Sequence, residues 1–582
     1  MFRTFLPSRP VAWAALLAGS ALVPPCAGAA EDARAAVALP PFIVEELAKG
    51  PPWRYGEAMG FEVLSRCGDA TTRRVVDAHF QLHSLLGEIL PPALRVAFSV
   101  RPALVLYDEE LQPAASQEVI RQMLKTQPAT ADTDLLAMAG GGFRGRGAVP
   151  EATPARRYSF SPNLRLWDRD SMTVFMIVRR DDFDGDRLAL THDYISFMVK
   201  SRVPTLPPWF GVGFLAFYRQ VKFDGGRLEV DPLEWISRAQ TEALKADPKT
   251  AVPVPPLGDF LALRMSPVPA PHAVEPMKVW AAQAELFVRW GLDAEKQTLR
   301  PAFWRFVERC AVESPSEALF RECFGFDFAA AQTQLAAYLA TAVRRGPRFE
   351  PARRPKLPAW ELRNASDVEI ARIKGDMERL EVPYVKNLSA ELAPKYLEQA
   401  RRTLRRAYDR DAREPGLLAV MGLCEVDGGN DAGAHELLES AARLGPLRPR
   451  ANYELGRLRL AAARAAAGAP DGRLSVNQTA EVLQPLFAAR QGEPPLPEVY
   501  EAIADTWAAT SATPTRGHLA VLDEGVRLFP RRLPLVFRAA ELNLKHGYGE
   551  VAATYADIAD RLATPSGEER ERVAALRRAL GP

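Results

Sequence analysis

A repeat of about 34 residues in the last third of the chain limits the folds that this part can adopt. Gly422 and Gly456 lie one such period apart in an alanine- and leucine-rich stretch. Small residues let two helices approach closely, and larger apolar residues fill the groove between neighbouring helix pairs. The positions that complete the pattern around Gly422 are Leu418, Met421, Gly429, Ala434, Leu438, Ala441 and Pro446. The pattern predicts stacked helical hairpins.

The hairpin pattern resembles the tetratricopeptide repeat (TPR) over residues 391–582. One period before Gly422 the second-helix positions recur, and one period after it the first-helix positions recur. These positions are Ala400, Leu404, Ala407, Asn452, Leu455 and Gly456. We expect an all-α solenoid of four or five TPR-like hairpins, with a generic α-helical bundle as the alternative. The resemblance implies a concave face that binds a protein or peptide ligand.

The first thirty residues are typical of a secretory signal peptide. Arg3 and Arg9 precede an apolar run over 11–23, and small residues follow around Ala29. Because the run is too short to span a bilayer comfortably, we expect cleavage near Ala29 and no transmembrane segment afterwards. The sequence therefore predicts export, to the periplasm or the extracellular space. A lipoprotein modified at Cys26 and a retained N-terminal anchor are the alternatives.

The charge balance indicates that the protein does not bind nucleic acid. The chain has 74 Lys+Arg against 72 Asp+Glu, so no strong net field attracts nucleic acid or anionic lipid. Behind the predicted signal peptide the cysteines are Cys67, Cys310, Cys323 and Cys424, none in a CxxC pair. Cys310 and Cys323 could pair in an oxidising compartment, or all four could be buried free thiols.

Residues 31–345 mix short β-rich runs with amphipathic helices, which predicts an α+β domain. A strand is predicted at Phe61–Leu64, a long helix at Thr71–Leu90 and another helix from near Arg187. The basic, proline-spaced stretch that follows, RRGPRFEPARRPKLPAW, favours a linker over residues 346–390.

One segment of this domain resembles the gluzincin (peptidase MA-like) metallopeptidases. The text LALTHDYISFMVKSRVPTLPPWFGVGFLAFY is similar to an HExxH helix, a loop ending in Pro-x-Trp, and a helix that begins Glu-Gly-x-Ala. The later segment EALFRECFGFDFAAAQTQLAAYLA is similar to the way such domains close. The resemblance covers roughly residues 55–342 and rests on layout more than on identity.

The metal motif itself is largely missing from the segment. In the family, two histidines at i and i+4 and a glutamate on the next helix bind zinc, and a glutamate between the histidines takes a proton from the bound water. The matching positions here are His192 for the first ligand, Asp193 for the base, Ser196 for the second ligand and Val212 for the third. Valine cannot ligate and the serine hydroxyl is not ionised, so two of three ligands are absent. The resemblance thus implies a domain without a catalytic site and without bound zinc.

Three other patterns have structural explanations. His79 and His83 stand at i and i+4 on an apolar helix face, which favours a packed pair over a metal site. The acidic run DDFDGDR at 181–187 favours a solvated turn over a calcium loop, and GGGFRGRG at 140–147 a loop between strands. Gly211 and Gly213 are expected to let the helix after Trp209 pack closely.

These observations predict an exported, non-catalytic protein that binds a protein or peptide in the cell envelope, a pseudo-metallopeptidase with no cofactor. The alternative is an active zinc-dependent hydrolase that combines His192 and Asp193 with ligands from elsewhere in the fold. A third possibility is an assembly scaffold in which the HDxxS text around His192 is accidental.

Overall fold

The computed structural model describes most of the chain, all of it within one compact unit, 38–582. The described residues are 51–108, 163–178, 192–224, 227–250, 252, 254–262, 274–293, 299–349, 356–388, 390–466, 473–563 and 567–581. The predicted signal peptide over 1–30, the acidic run at 181–187 and the glycine-rich segment at 140–147 lie outside these residues.

The α+β part is built on a mixed sheet of six strands. The spatial order is β4-β5-β3-β2-β1-β9, in which β2, β3 and β5 run parallel and the other pairings are antiparallel. The strands are β1 (Arg54–Ala58), β2 (Phe61–Ser65), β3 (Ala103–Asp108), β4 (Asn163–Trp167), β5 (Met172–Val178) and β9 (Leu362–Asn364). The prediction of a strand at Phe61–Leu64 is confirmed by β2.

The central strands are apolar on both faces because both faces of the sheet are covered. On one face Leu104 and Val174 join the core that contains α1. On the opposite face Val105 and Phe175 join a second cluster. Successive residues alternate between the two clusters, as the period of a strand requires.

Helices pack on the first face and extend away from it. They are α1 (Asp69–Ile89), α2 (His192–Lys200), α3 (Pro208–Arg219), α4 (Arg238–Ala246), α5 (Leu257–Ala262), α6 (Val274–Leu292), α7 (Leu299–Val312), α8 (Glu317–Phe324) and α9 (Phe328–Ala342). An antiparallel sheet of β6 (Val221–Asp224), β7 (Arg227–Val230) and β8 (Arg348–Phe349) follows α3. The long helix predicted at Thr71–Leu90 is confirmed by α1, and the α+β class fits these elements.

The prediction of a linker over 346–390 was wrong for most of that stretch. It contains β8, β9 and the 22-residue helix α10 (Asp367–Leu388). Ile373, Met377 and Leu380 of α10 pack on the second face of the six-stranded sheet. The helix is therefore part of the core of the α+β part, and it also forms the first hairpin of the array that follows.

The remaining chain forms TPR-like hairpins followed by a last helix. The helices are α11 (Ala393–Tyr408), α12 (Pro415–Asp427), α13 (Asp431–Leu444), α14 (Pro449–Ala466), α15 (Val476–Arg490), α16 (Pro497–Ala509), α17 (Arg516–Leu528), α18 (Leu533–Lys545), α19 (Gly549–Leu562) and α20 (Glu568–Leu580). Within the described residues α10–α11, α12–α13, α14–α15, α16–α17 and α18–α19 are five packed pairs.

Close approach at glycine defines the hairpins, as the repeat predicted. A Cβ atom at Gly422 would lie 2.7 Å from the Leu438 side chain on α13. A Cβ atom at Gly456 would lie 2.5 Å from the Leu486 side chain on α15. The first helices α10, α12, α14, α16 and α18 also pack side by side in sequence order. The predicted hairpins are confirmed, and the array begins at residue 367 rather than 391.

Two further expectations concern the cysteines and the membrane. Cys67, Cys310, Cys323 and Cys424 are all free and buried, so the free-thiol alternative holds in this structure. Burial raises the pKa of the Cys310 thiol well above its ordinary value, which keeps it un-ionised. In the part of the chain that the structure describes, no helix is both long enough and apolar enough to span a bilayer.

Candidate functional site

The four residues matched to the metallopeptidase motif lie on two neighbouring helices, α2 and α3. His192 and Asp193 are the first residues of α2, and their side chains lie outside the described part of the structure. Ser196 lies one turn further along α2 and is half-buried. Val212 lies on α3 with 7 % of its surface exposed. Helices α2 and α3 pack against each other.

The third ligand position is closed by apolar packing. Val212 belongs to the large hydrophobic core of the α+β part. A Cβ atom on the next residue, Gly213, would lie 2.3 Å from the backbone oxygen of Ala284 on α6. The two helices α3 and α6 are therefore in near backbone contact at this point. A carboxylate in place of Val212 would enter a desolvated core.

The segment before α3 is anchored as its sequence predicts. Pro207 caps the helix and Pro208 opens it, where the missing N–H costs nothing. The Trp209 ring lies 5.1 Å from that of Phe287 and 5.9 Å from that of Phe306, centroid to centroid. The close approach predicted at Gly213 is confirmed. At Gly211 it is wrong, because a Cβ atom there would meet nothing within 4 Å.

Metal-ligating side chains do not gather in the described residues. No group of three His, Cys, Asp or Glu side chains within them could hold one ion. The His192 and Asp193 side chains and the segments before β4 and after β5 lie outside the described residues. The predicted absence of a zinc site therefore stays a prediction.

The structure brings together a different set of polar rings. His79 and His83 of α1 have their Nε2 atoms 3.1 Å apart, and the Tyr194 hydroxyl of α2 lies 3.0 Å from the His83 Nε2 atom. The Phe61 ring packs edge-on against His79. His79 Nδ1 has no hydrogen-bond partner in the described residues, whereas metal-binding histidines usually donate their second ring nitrogen. The geometry fits a packed, hydrogen-bonded pair.

Burial keeps both histidines uncharged. It lowers the pKa of His79 to about 4. It lowers the pKa of His83 well below its ordinary value, and the charge of Arg95, together with the repulsion that a protonated His79 would exert, lowers it further. Burial also raises the pKa of the Tyr194 phenol, against the opposing effect of Arg95 and Arg165. At neutral pH the cluster is a network of neutral groups inside the core.

A second site joins the α+β part to the helical array. The short connection between β4 and β5, Asp168–Ser171, is here called the acidic turn. It enters a cluster on the first helices of the array, here called the arginine groove, which comprises Arg379, Arg448, Arg450, Asp376 and Asp427. These side chains are buried or nearly so, and Asp170 is fully buried.

Asp170 is held from two directions at the start of α14. The Arg448 guanidinium donates through Nε and Nη2 to the Asp170 carboxylate, at 3.1 Å from Nε to Oδ2 and 2.5 Å from Nη2 to Oδ1. The backbone N–H of Arg450, in the first turn of α14, donates to Asp170 Oδ2 at 2.8 Å. A bidentate arginine and a helix N-terminus are both favourable surroundings for a carboxylate.

Asp168 binds the two other arginines of the groove. Arg379 Nη2 donates to Asp168 Oδ2 at 2.8 Å, and Arg450 Nη1 donates to the same oxygen. Asp427 accepts from Arg379 and from Arg450, so it links the two arginines from the array side. Burial alone would raise the pKa of Asp168, but the charges of Arg379 and Arg450 outweigh it and lower the pKa far below its ordinary value.

Further contacts, from Arg169 within the acidic turn and from Ser99 before β3, extend this junction along the array. Arg169 stacks over the Tyr453 ring at 5.3 Å and lies 3.9 Å from Glu454 and 3.8 Å from Glu498. Ser99 exchanges two hydrogen bonds with the backbone of Glu493, at 2.8 and 2.7 Å. The α+β part thus contacts the array from α10 to the loop before α16.

A cavity of about 140 Å³ lies beside the arginine groove. Its charged lining residues are already paired: Arg372 donates to both oxygens of Glu62 at 2.9 and 2.6 Å, and Arg101 lies 2.5 Å from Glu57. Pockets for small-molecule ligands are commonly about 300–1,000 Å³. The cavity is too small for such a ligand.

Nothing in the local sequence predicts this junction. An Asp-Arg-Asp-Ser run between two strands is typical of any solvated turn, and Arg448-Pro449-Arg450 is typical of a helix start. The backbone N–H of Arg450 and the carboxylate of Asp170 that it contacts belong to residues 280 positions apart, so no local pattern connects the two segments.

Comparison with known proteins found several solved TPR structures of low overall similarity. No protein-family model matches the chain, and no curated protein matches it. YrrB, a TPR protein with an unusual peptide-binding site, is 16% identical, with 35% of this chain and 94% of that chain covered and a TM-score of 0.25. TTC0263, a thermophilic TPR protein of Thermus thermophilus, is 18% identical, with 34% and 98% covered and a TM-score of 0.24.

PilF of Pseudomonas aeruginosa is similar to the same extent: it is 16% identical, with 36% of this chain and 90% of that chain covered and a TM-score of 0.24. Scores this low carry no argument by themselves. The TPR-like architecture rests on the hairpins of this chain and on their contacts at glycine.

Proposed function

We propose that the protein is an exported, non-catalytic binding protein, in which a domain resembling a metallopeptidase has lost its metal site and a TPR-like array binds a protein or peptide in the cell envelope. The sequence of residues 1–30, with its basic start, apolar run and small residues, supports export to the periplasm or beyond. The balance of charge speaks against nucleic acid as a partner.

The packing at Val212 carries the non-catalytic part of this proposal. Val212 stands where the resemblance expects a ligand, is buried in the core, and is followed by a glycine in backbone contact with α6. A ligand at this position would need both a new side chain and a wider separation of α3 and α6. Together with Ser196, this leaves His192 as the one ligand-type residue of the motif.

The arginine groove supports the binding part. Its three guanidinium groups, from α10, α14 and the residue before α14, already hold two carboxylates of a short turn. Bidentate arginine contacts of this kind give geometric specificity for carboxylates. The array therefore has the chemistry of a surface that recognises a short acidic segment.

Metal content and hydrolysis test the proposal together. The full chain would be purified beside the His192→Ala variant and a His435→Ala variant, whose histidine is partly exposed on α13. Zinc would be measured by mass spectrometry and hydrolysis with a mixed peptide substrate pool. We expect no stoichiometric zinc in any of the three proteins and equal, background hydrolysis.

The alternative, an active zinc hydrolase with a non-standard site, predicts a different result. About one zinc per chain, lost in His192→Ala but kept in His435→Ala, would overturn the non-catalytic proposal. Hydrolysis above the His192→Ala background would do the same. The missing ligands would then have to be found among the residues that surround His192 in three dimensions.

A further inference from the structure

We propose that the arginine groove is a binding site for acidic peptide segments, that the acidic turn occupies it within the same chain, and that a partner segment with two carboxylates in an Asp-x-Asp spacing competes with the turn. The inference rests on the proposed binding function and names the chemistry of the partner. It also makes the contact between the two parts of the chain a self-occupied binding site.

The turn supplies acceptors for the arginine side chains of the groove. The groove itself contributes three arginines, and the array carboxylates bonded to them are those of Asp376 and Asp427, with Glu454 3.8 Å from Arg450 Nε. Each of these two carboxylates is shared between two arginines, so the guanidinium groups keep donors for further acceptors. Asp168 and Asp170 fill those places. Buried guanidinium donors without acceptors are costly, and a segment with two carboxylates supplies those acceptors.

The recognition is confined to a short linear segment. Asp168, Asp170 and Ser171 each contact the groove through their side chains, and Ser171 Oγ accepts from Arg448. Arg169, between the two aspartates, contacts Tyr453 and approaches Glu454 and Glu498 beside the groove. The contacts define an Asp-Arg-Asp-Ser pattern that a peptide of a few residues can reproduce.

The position of the turn permits exchange. The turn belongs to the β4–β5 hairpin, and β4 is the outermost strand at one end of the sheet order. Strands at a sheet edge have one pairing neighbour, so β4 and the turn can detach locally while β5 stays paired with β3. Because the turn is tethered, its effective concentration at the groove is in the millimolar range, and an external ligand must compete with it.

The test uses the full chain and a labelled peptide of residues 165–173, RLWDRDSMT. Fluorescence anisotropy would measure its binding to the wild-type chain and to the Asp168→Asn/Asp170→Asn variant, in which the turn has lost both charges. We expect the variant to bind the peptide at least tenfold more tightly than the wild type. The same peptide with both aspartates replaced by asparagine should bind neither protein.

A further variant tests whether the peptide binds at the groove. Arg448→Gln, added to the Asp168→Asn/Asp170→Asn variant, removes the bidentate partner of Asp170 and should weaken peptide binding at least tenfold. Arg538→Gln in the same background is the matched control, because Arg538 pairs with Asp505 further along the array. Equal loss in both would show non-specific attraction to the array and would overturn the proposal.

Hydrogen exchange on the wild-type chain provides a second readout in case the double variant fails to fold. Millimolar unlabelled peptide should speed amide exchange over residues 163–171 severalfold, because the displaced turn and β4 are less protected. A folded double variant that does not bind the peptide, or unchanged exchange in the wild type, would mean that the turn is only a structural contact. Such a result would leave the zinc and hydrolysis tests untouched, so the two proposals fail independently.

Discussion

Glu381 is a buried acid on α10 that the fold keeps protonated. Burial raises its pKa well above the ordinary value, the neighbouring Glu378 raises it further, and Lys374 opposes the shift. Above about pH 4.3 the unfolded chain loses this proton while the folded chain holds it, so folding stability falls as the pH rises towards the folded pKa. The loss is up to about 1.4 kcal/mol per pH unit.

At pH 7 the Glu381→Gln variant should therefore be more stable than the wild type by about 1 kcal/mol or more. At pH 4 the two proteins should have nearly the same free energy of unfolding. Urea unfolding at both pH values measures the difference. Glu391→Gln, at an exposed position a few residues beyond α10, is the control and should change neither value. A pH-independent effect of Glu381→Gln would mean that folding does not raise the pKa of this acid.

The buried histidines predict the opposite dependence on pH. The folded pKa of His79 is about 4, against about 6.5 in the unfolded chain. Below pH 6.5 the unfolded state takes up a proton that the folded state excludes, so stability falls as the pH drops from about 6.5 to 4. His79→Gln should reduce this slope by up to about 1.4 kcal/mol per pH unit, and His435→Gln should not. Thermal unfolding between pH 7 and pH 5 measures how stability depends on pH in each variant. An unchanged dependence in His79→Gln would contradict the burial of His79.

At the residue scale, sequence supports some of these assignments. The apolar neighbours of His79 on α1 were sufficient to predict a packed histidine pair, because i and i+4 positions share a helix face. Its third member, Tyr194, could not be predicted, since its contact with His83 joins residues 111 apart. The motif positions Ser196 and Val212 could be located on their helices from sequence. That Val212 is sealed by α6 follows only from the tertiary packing.

At the scale of elements, α3 offers two glycines with different roles. Gly213 lies against the backbone of α6, with Ala284 O 2.3 Å from where its Cβ would be, whereas a Cβ at Gly211 would meet open space. Gly213→Ala must push two helices apart and should destabilise the protein by about 1–3 kcal/mol. Gly211→Ala should stabilise it by about 0.5–1 kcal/mol, because alanine loses less backbone entropy in a helix.

Chemical denaturation of the two variants measures this contrast directly, since both changes add one methyl group to the same helix. Equal effects at the two positions would mean that α3 and α6 are not in backbone contact. The comparison also tests the packing that closes the third ligand position, because Val212 precedes Gly213 on the same turn.

Elements were predictable from sequence where their periodicity is regular. Helix α1 and the hairpins around Gly422 and Gly456 follow from apolar spacing and small residues at fixed intervals. Helix α10 could not be predicted in this way, because the buried residues Lys374, Arg379 and Glu381 interrupt its apolar pattern. Pro383 also lies inside the helix. Charged groups that are satisfied only by the rest of the fold look like solvent-exposed residues in the sequence.

At the scale of the whole molecule, α10 joins two hydrophobic cores. Met377 and Leu380 pack with the sheet residues Val105 and Phe175, while Ala371 on the same helix belongs to the core of the first array hairpins. The arginine groove adds a buried ionic junction between the same two parts. The α+β part and the beginning of the array are therefore parts of one folding unit.

This arrangement predicts how fragments of the chain behave. A fragment of residues 38–349 lacks β9 and α10, and its sheet would expose one apolar face that includes Val105, Phe175 and Ile177. Exposed apolar faces of this kind bind hydrophobic dyes and promote aggregation. A fragment of residues 38–445 keeps α10 and the next three helices, so that face stays covered. We expect the longer fragment to unfold cooperatively and the shorter one to bind the dye ANS and to lack a cooperative transition.

Circular dichroism melts and ANS fluorescence of the two fragments, beside the full chain, separate the possibilities. Met377→Ala in the longer fragment is a graded control, because it removes one buried contact with the sheet and should cost about 2–5 kcal/mol without removing the helix. If the shorter fragment melted cooperatively and did not bind ANS, the α+β part would be an independent domain and α10 would belong to the array alone. Failure of the shorter fragment, with success of the longer one, would place the boundary beyond α10, because the second face of the sheet is completed only by that helix.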